Sequence, residues 1–288
     1  MRDACATVNR LRKKAHVARE PITDDLLIDR CQRQLTLALQ ARILATEQTI
    51  GQQFAFEIIV RGDTTAIFAH RWPQTTSTVP FHRIFNYVAP VAATTDPLLD
   101  RLVDEALDVV IETLPGDPRT VALLHRYQFQ PVWQIAWLYR QLATTDTVLD
   151  AVAQIAHAPH DDMPRFAAVL CDGYGYEGAT RDAWQRFMQA GYRAPGFACF
   201  LAGFDHQPAA AGVLHLDGTM ALVDGAATLP RYRGNGLQKA LLATRMQYAR
   251  QQGATIAFSR TGAGSISHAN LENVGMRLLI ESTAWRRL

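Results

Sequence analysis

The chain has little cysteine: four in 288 residues, at Cys5, Cys31, Cys171 and Cys199, far apart and with no Cys-x-x-Cys spacing. That argues against thiolate metal motifs and a disulfide framework, and fits reduced thiols. Neither Cys171 nor Cys199 has a histidine beside it in sequence, which weighs against a thiol nucleophile. No apolar run reaches the roughly eighteen residues a membrane helix needs. The beginning, Met1-Arg2-Asp3-Ala4-Cys5, lacks the apolar core of a signal peptide, so a cytoplasmic protein is expected.

Charge of one sign is lacking as well. The formal net charge is +2, and the lysines are Lys13, Lys14 and Lys239. Without a broad basic surface, neither a nucleic-acid nor a membrane partner is expected. The short segment Arg10-Leu11-Arg12-Lys13-Lys14 reads as a solvated N-terminal extension. Histidine and carboxylates crowd only at His157-Ala158-Pro159-His160-Asp161-Asp162. Pro159 blocks the helical spacing that zinc sites favour, so a helix start with acidic residues is expected there, and no metal.

What is present is an ordinary globular composition, 48% hydrophobic, long enough to bury a large core. One stretch carries chemistry: Thr228-Leu229-Pro230-Arg231-Tyr232-Arg233-Gly234-Asn235-Gly236-Leu237-Gln238. It joins an apolar run, Met220 to Leu229, to an apolar-periodic helix, Leu237 to Gln251. Strand, glycine turn and helix in that order present backbone amides at a helix N-terminus. There the helix dipole and the unpaired N–H groups favour a phosphate. A Walker loop would need Gly-Lys-Ser/Thr where this turn has Gly236-Leu237-Gln238. A dinucleotide fingerprint would need a third glycine and a later acidic residue.

The turn resembles the pyrophosphate loop of the GNAT acyltransferase superfamily, Arg/Gln-x-x-Gly-x-Gly/Ala, matched at Arg233 to Leu237. Gln238 departs from the usual small residue. A second signature of that superfamily is similar to Gly264-Ser265-Ile266-Ser267-His268-Ala269-Asn270-Leu271-Glu272-Asn273-Val274-Gly275-Met276, with Met276 where phenylalanine is usual. The resemblance covers roughly residues 145 to 288. It implies an α/β (α+β) fold with a mixed, mostly antiparallel sheet flanked by helices, and acetyl-CoA as cosubstrate. Ala226, Ala227, Thr228, Leu229, Arg233, Gly234, Asn235, Gly236, Leu237, Gln238, Ser267 and Asn270 are the residues it implies for the coenzyme.

The first half repeats the order of elements. A long amphipathic helix over Asp24–Thr49 precedes a hairpin at 54–69 and a strand over 83–88. Helix 96–107, strand 109–114, helix 118–127 and strand 132–142 follow. In the second half come helices 163–170 and 179–190, strands 197–204 and 211–216 about a turn at 205–208, and a central strand ending at Leu229. Helix 237–251, strand 254–259, a further helix and a final strand, 277–287, close the chain. Such repetition suggests two GNAT-like modules, 1–143 and 144–288, with a short connector at 143–146. The first has Ala89 to Pro97 where a cradle would stand, with no glycine and with Asp96, so one donor site per chain is expected.

Gly225 is read as a bulge that opens the central strand. Asp224, His215 and Tyr176 are the catalytic candidates. His215 reads equally as a core or surface residue, and Asp224 as an acceptor for loop amides. The tyrosine that usually protonates the leaving thiolate in the superfamily is replaced by Leu271. Tyr174 and Tyr176 read as a lid over the acceptor or as anchors of a surface loop. Ser267 and Asn270 suit helix capping as well as donor contact. The activity implied is acetyl transfer by direct attack of an amine on a small molecule or peptide. A non-catalytic CoA-binding protein and an acyltransferase for a longer acyl group are the alternatives. A homodimer is compatible with either.

Overall fold

The computed structural model describes residues 23–61, 64–73, 87–89, 99–102, 109–116, 118–143, 154–158, 160–204 and 207–287. Its elements in chain order are α1 (Asp24–Ile50), β1 (Phe56–Arg61), β2 (Thr64–Ala69), β3 (Tyr87–Ala89), β4 (Val110–Thr113), α2 (Pro118–Arg126) and β5 (Phe129–Gln141). Then follow β6 (Gln154–His157), α3 (Met163–Tyr174), α4 (Gly178–Gly191), β7 (Phe197–Phe204), β8 (Gln207–Asp217) and β9 (Met220–Thr228). The chain ends with α5 (Leu237–Gln251), β10 (Ile256–Gly262), α6 (Ile266–Asn273) and β11 (Arg277–Arg287). The strand β6 was not expected from the sequence. A short 3-10 turn with Asp161 and Asp162 leads into α3, as the acidic helix start suggested. The basic segment 10–14, the stretch 90–97, most of the helix expected over 96–107, the connector residues 144–146 and the turn at 205–206 lie outside the described residues.

All the strands among the described residues form one mixed sheet in the order β1-β2-β3-β4-β11-β5-β10-β9-β8-β7-β6. The order is nearly a palindrome: β4 and β10 each pair in parallel with the strand before them in sequence, β3 and β9. The closing strands are exchanged. β5, from the first half, lies against β10 of the second, and β11 lies against β4. β5 and β11 then pair with each other along most of their length, at the centre of the sheet. The boundary read at 143/144 therefore falls inside a single hydrogen-bonded sheet.

Helices cover both faces. On one, Val213 and Ala211 of β8 and Ala227 of β9 pack under α3 and α4 with Phe166, Trp184 and Phe187. On the other, Leu214, Val223 and Ala257 pack under Leu237, Leu241 and Met246 of α5. On β8 strand alternation divides these sets, and on β9 a register shift at Gly225 puts Ala227 on the face opposite Val223. α1 runs across the first face and reaches the second half of the chain. Leu27, Cys31 and Ala38 pack with Met220, Leu222 and Phe258. Its first turn is capped by Thr23, which accepts from the Leu26 amide.

Candidate active site

β9 and β10 are hydrogen-bonded neighbours only from Met220 to Leu222 and from Ile256 to Phe258. Beyond that point each strand follows its other partner. β9 stays with β8 up to Thr228, and β10 stays with β5 up to Gly262. A bulge drives the separation: Gly212 faces Ala226 while Val213 faces Asp224, so Gly225 is the extra residue. Bulges bend a strand and sharpen its twist, which here turns β9 away from β10. Ser259 Oγ donates to the Val223 carbonyl oxygen at 2.7 Å, where the gap begins.

β9 ends at a turn that starts α5. Gly234 and Gly236 have φ of +81° and +72°, left-handed values that favour glycine. Gly236 is the N-cap, and no side chain caps the helix. The first amides of α5 therefore lack intrahelical acceptors and point out at the mouth of the gap. Arg233 docks beside them. Its Nη2 donates to the Gly173 carbonyl at 3.0 Å and its Nε to the Thr228 carbonyl at 3.3 Å, tying the turn to the end of α3. Asn235 Nδ2 closes the turn by donating to the Tyr232 carbonyl.

The gap encloses a cavity of about 420 Å³. Its inner wall combines Arg42, Asp224, Tyr174, Tyr192, Trp184 and Arg245. Arg42 comes from α1 and is 3% exposed. Its Nη1 donates to the Tyr192 hydroxyl at 3.0 Å and to Asp224 Oδ2 at 3.2 Å. The rings of Tyr192, Phe187 and Phe197 stand 5.3, 5.7 and 6.0 Å from its guanidinium carbon. Burial opposes the charge on Arg42, but Tyr192 and Asp224 outweigh it and raise its pKa.

Arg245 is equally buried and serves the bulge. Its Nη1 donates to the carbonyls of Val213 and Asp224 at 2.8 and 2.7 Å. Those two residues face each other at the register shift, so the guanidinium satisfies acceptors that the irregular ladder leaves over. Burial pulls its pKa down to about 10, against the pull of Tyr174 and Asp224. The Tyr174 hydroxyl lies by Gly225, where a methyl group would sit 3.2 Å from it. Burial, then the Asp224 charge, raises the pKa of that hydroxyl, so it stays protonated.

Of the residues picked from sequence, Asp224, Tyr176, Ala226, Gln238 and Ser267 line the cavity. His215 stands away from the cavity wall: its ring packs on Phe197, centroids 4.5 Å apart, and it is 5% exposed. Tyr176 is stacked on Trp184 at 5.4 Å and is 6% exposed. Ala227 and Leu237 face the core, and the Leu229 amide donates to Ala209. Asn270 lies on α6 off the cavity wall. The cap of α6 is Ser265, which accepts from the His268 amide, so neither Ser267 nor Asn270 fills that role. Burial pushes the Cys171 and Cys199 thiols up to about 12, the opposite of what a thiolate nucleophile needs.

Sequence reasoning missed Arg42, Arg245 and Tyr192. The first two carried a readable signal. Arg42 falls on the stripe of α1 that buries Leu27, Cys31, Gln34 and Ala38, and Arg245 falls between Leu242 and Met246 in α5. An arginine on the buried stripe of a helix needs a partner or a ligand. Tyr192 follows α4 with no comparable mark.

A parallel pair that opens over an uncapped helix start defines an α/β fold of the acyltransferase type. The sequence points the same way: residues 163–269 match the acetyltransferase (GNAT) family. Family members use acyl-CoA cosubstrates in general. No curated protein sequence matches the chain. A solved tandem GNAT protein from the clavulanic acid biosynthesis pathway is similar over 85% of this chain and 86% of its own, with a TM-score of 0.58 and 11% identity. A GCN5-related N-acetyltransferase from Sphaerobacter thermophilus is similar over 77% of this chain and 79% of its own, with a TM-score of 0.54 and 12% identity. One from Kribbella flavida covers 86% and 95%, at 0.52 and 16%. At such identities these likenesses concern the fold alone.

Proposed function

We propose that the protein transfers an acetyl group from acetyl-CoA to the amine of a small molecule or peptide. We also propose that the second half of the chain holds the donor and that the first half is a degenerate module completing the acceptor side. The observation that carries the reading is the parting of β9 from β10 in front of the uncapped start of α5. The amides of residues 234–239 suit a diphosphate, and the freed edge of β9 suits an extended amide-bearing arm. Bound acetyl-CoA would supply an activated thioester.

The chain's own groups then have distinct tasks. The Asp224 carboxylate, half-exposed to the cavity, draws in an ammonium and orients it. The Tyr174 hydroxyl holds a proton beside Gly225 and takes the place of the acid missing at Leu271. The aromatic wall excludes water, which protects a thioester from hydrolysis.

The test is release of free thiol from acetyl-CoA by the purified protein across an amine panel. Turnover with at least one amine is expected. Arg233→Ala is expected to raise the acetyl-CoA dissociation constant by about 10- to 100-fold, the loss of one charge-assisted contact. Tight donor binding without turnover on a broad panel would instead mark a CoA-binding protein.

A further inference from the structure

The cavity wall carries more positive than negative charge. Its charged side chains are Arg42, Arg245, Arg260 and Asp224. Arg260 is matched by Glu112 of β4. Two guanidiniums thus remain against one carboxylate. Arg245 donates to the backbone carbonyls of Leu241, Val213 and Asp224 and has no ion pair among the described residues. Asp224 meets Arg42 only through Nη1, and Arg42 Nε is buried with no hydrogen-bond partner among the described residues. A buried guanidinium nitrogen without an acceptor is costly unless a ligand supplies one.

The donor does not meet this need. The diphosphate of a coenzyme A belongs at the start of α5, and the pantetheine arm that enters the gap is neutral. An anion reaching Arg42 must therefore arrive on the other substrate. A carboxylate matches the planar fork of a guanidinium, and the box of Tyr192, Phe187 and Phe197 holds that fork in one orientation. Asp224, on the same wall, offers its carboxylate to the ammonium of the same molecule. Opposite charges side by side suit a zwitterion.

We propose that the acceptor is a compact amine that also carries a carboxylate, and that Arg42, supplied by the first half of the chain, binds that carboxylate. The proposal rests on the acyl-transfer reading above. It gives the first half a function: its long helix α1 completes an acceptor site whose donor side lies wholly in the second half. A cavity of about 420 Å³ accommodates an amino acid beside the end of a thioester arm.

The experiment compares amino acids with their carboxylate-free counterparts: phenylalanine with phenethylamine, lysine with cadaverine, β-alanine with ethylamine. Turnover is read as thiol release from acetyl-CoA, for the native protein and for Arg42→Gln and Arg42→Lys. The native protein should favour the carboxylate-bearing member by about 100-fold in kcat/KM. Arg42→Gln should bring that ratio within about 10-fold with unchanged acetyl-CoA affinity, and Arg42→Lys should retain part of it. Equal use of both members, or a preference that survives Arg42→Gln, overturns the proposal. Calorimetry of the same amino acids with CoA-bound protein separates this from failure of the acyl-transfer reading. If no amine is acetylated, binding that Arg42→Gln abolishes supports the carboxylate site, and no binding to the native protein overturns it. Arg42→Lys carries the comparison should Arg42→Gln fail to fold.

Discussion

In the arm made of β7 to β10, the parallel pair β9·β10 ends after three residue pairs and opens into the cavity. In the arm made of β1 to β4, the described pairs of β3·β4 run to Val88 with Ile111, and the next residue on β4 is Glu112. On β10 the first residue past the parallel pairs is Ser259. Ser259 is small and reaches only the Val223 carbonyl. Glu112, 2% exposed, binds the Trp137 indole nitrogen at 2.9 Å, the Ser282 hydroxyl and the Arg260 guanidinium. One arm thus leaves room for a ligand where the other ties four strands together. The same plan yields a site on one side and a brace on the other.

Breaking the brace should have the largest effect. Glu112→Ala removes the carboxylate paired with the half-buried Arg260 guanidinium and one of the two acceptors of the Trp137 indole nitrogen. Such a loss typically costs about 3–5 kcal/mol, read as a fall in the urea midpoint of unfolding. Ser259→Ala, at the first residue past the parallel pair of the open arm, removes one hydrogen bond and should cost about 1 kcal/mol. Similar losses at both positions would mean that the two arms do not differ in the way described.

Much of this architecture is legible in the sequence, because most elements carry strong local signals. The hairpin at 56–69, the helix over 237–251 and the bulge at Gly225 each follow from period, glycine placement or turn chemistry. The exchange of β5 and β11 is not legible. Both strands mix apolar and polar residues and carry tryptophan, Trp133 and Trp137 in β5 and Trp285 in β11, and either satisfies the edge of β4 or β10 equally in pattern. The cavity wall was hidden for a related reason. Arg42 and Asp224 lie 182 positions apart, and only the packing of α1 on the second half brings them together. Close approach makes that packing: Gly191 of α4 lets α1 so near that a methyl there would sit 3.2 Å from Arg42 Cβ.

The next effect is confined to the open arm. Gly236→Val forces a branched side chain into a left-handed residue, at a strain of about 1–3 kcal/mol. Nothing crowds the position, so the strain is in the backbone alone and the fold should persist. The turn should shift instead, and acetyl-CoA affinity should fall by about 10-fold or more, measured by calorimetry. Asp96→Gly, in the first half, should leave that affinity unchanged, since the stretch 89–97 carries no glycine turn. A loss of donor binding in Asp96→Gly would place a donor contact in the wrong half.

The smallest effect concerns the contact between the halves. His215 lies under α1, where Gln34 Nε2 donates to its carbonyl. Burial lowers the pKa of its ring from 6.5, and the nearby Arg42 charge lowers it further, while Asp224 and Asp217 oppose both. The folded protein therefore holds the ring neutral where the unfolded chain would protonate it. Stability contributed this way is complete above about pH 6.5 and is lost as pH falls below it toward the depressed value. Thermal melts from pH 8 to pH 5 should show that decline, superimposed on the titration of the carboxylates at the lower end. In His215→Gln the part of the slope between pH 7 and pH 5.5 should flatten, whatever the variant's stability at pH 8. An unchanged slope would place the proton uptake elsewhere and remove His215 as the acid-sensitive point of the α1 contact.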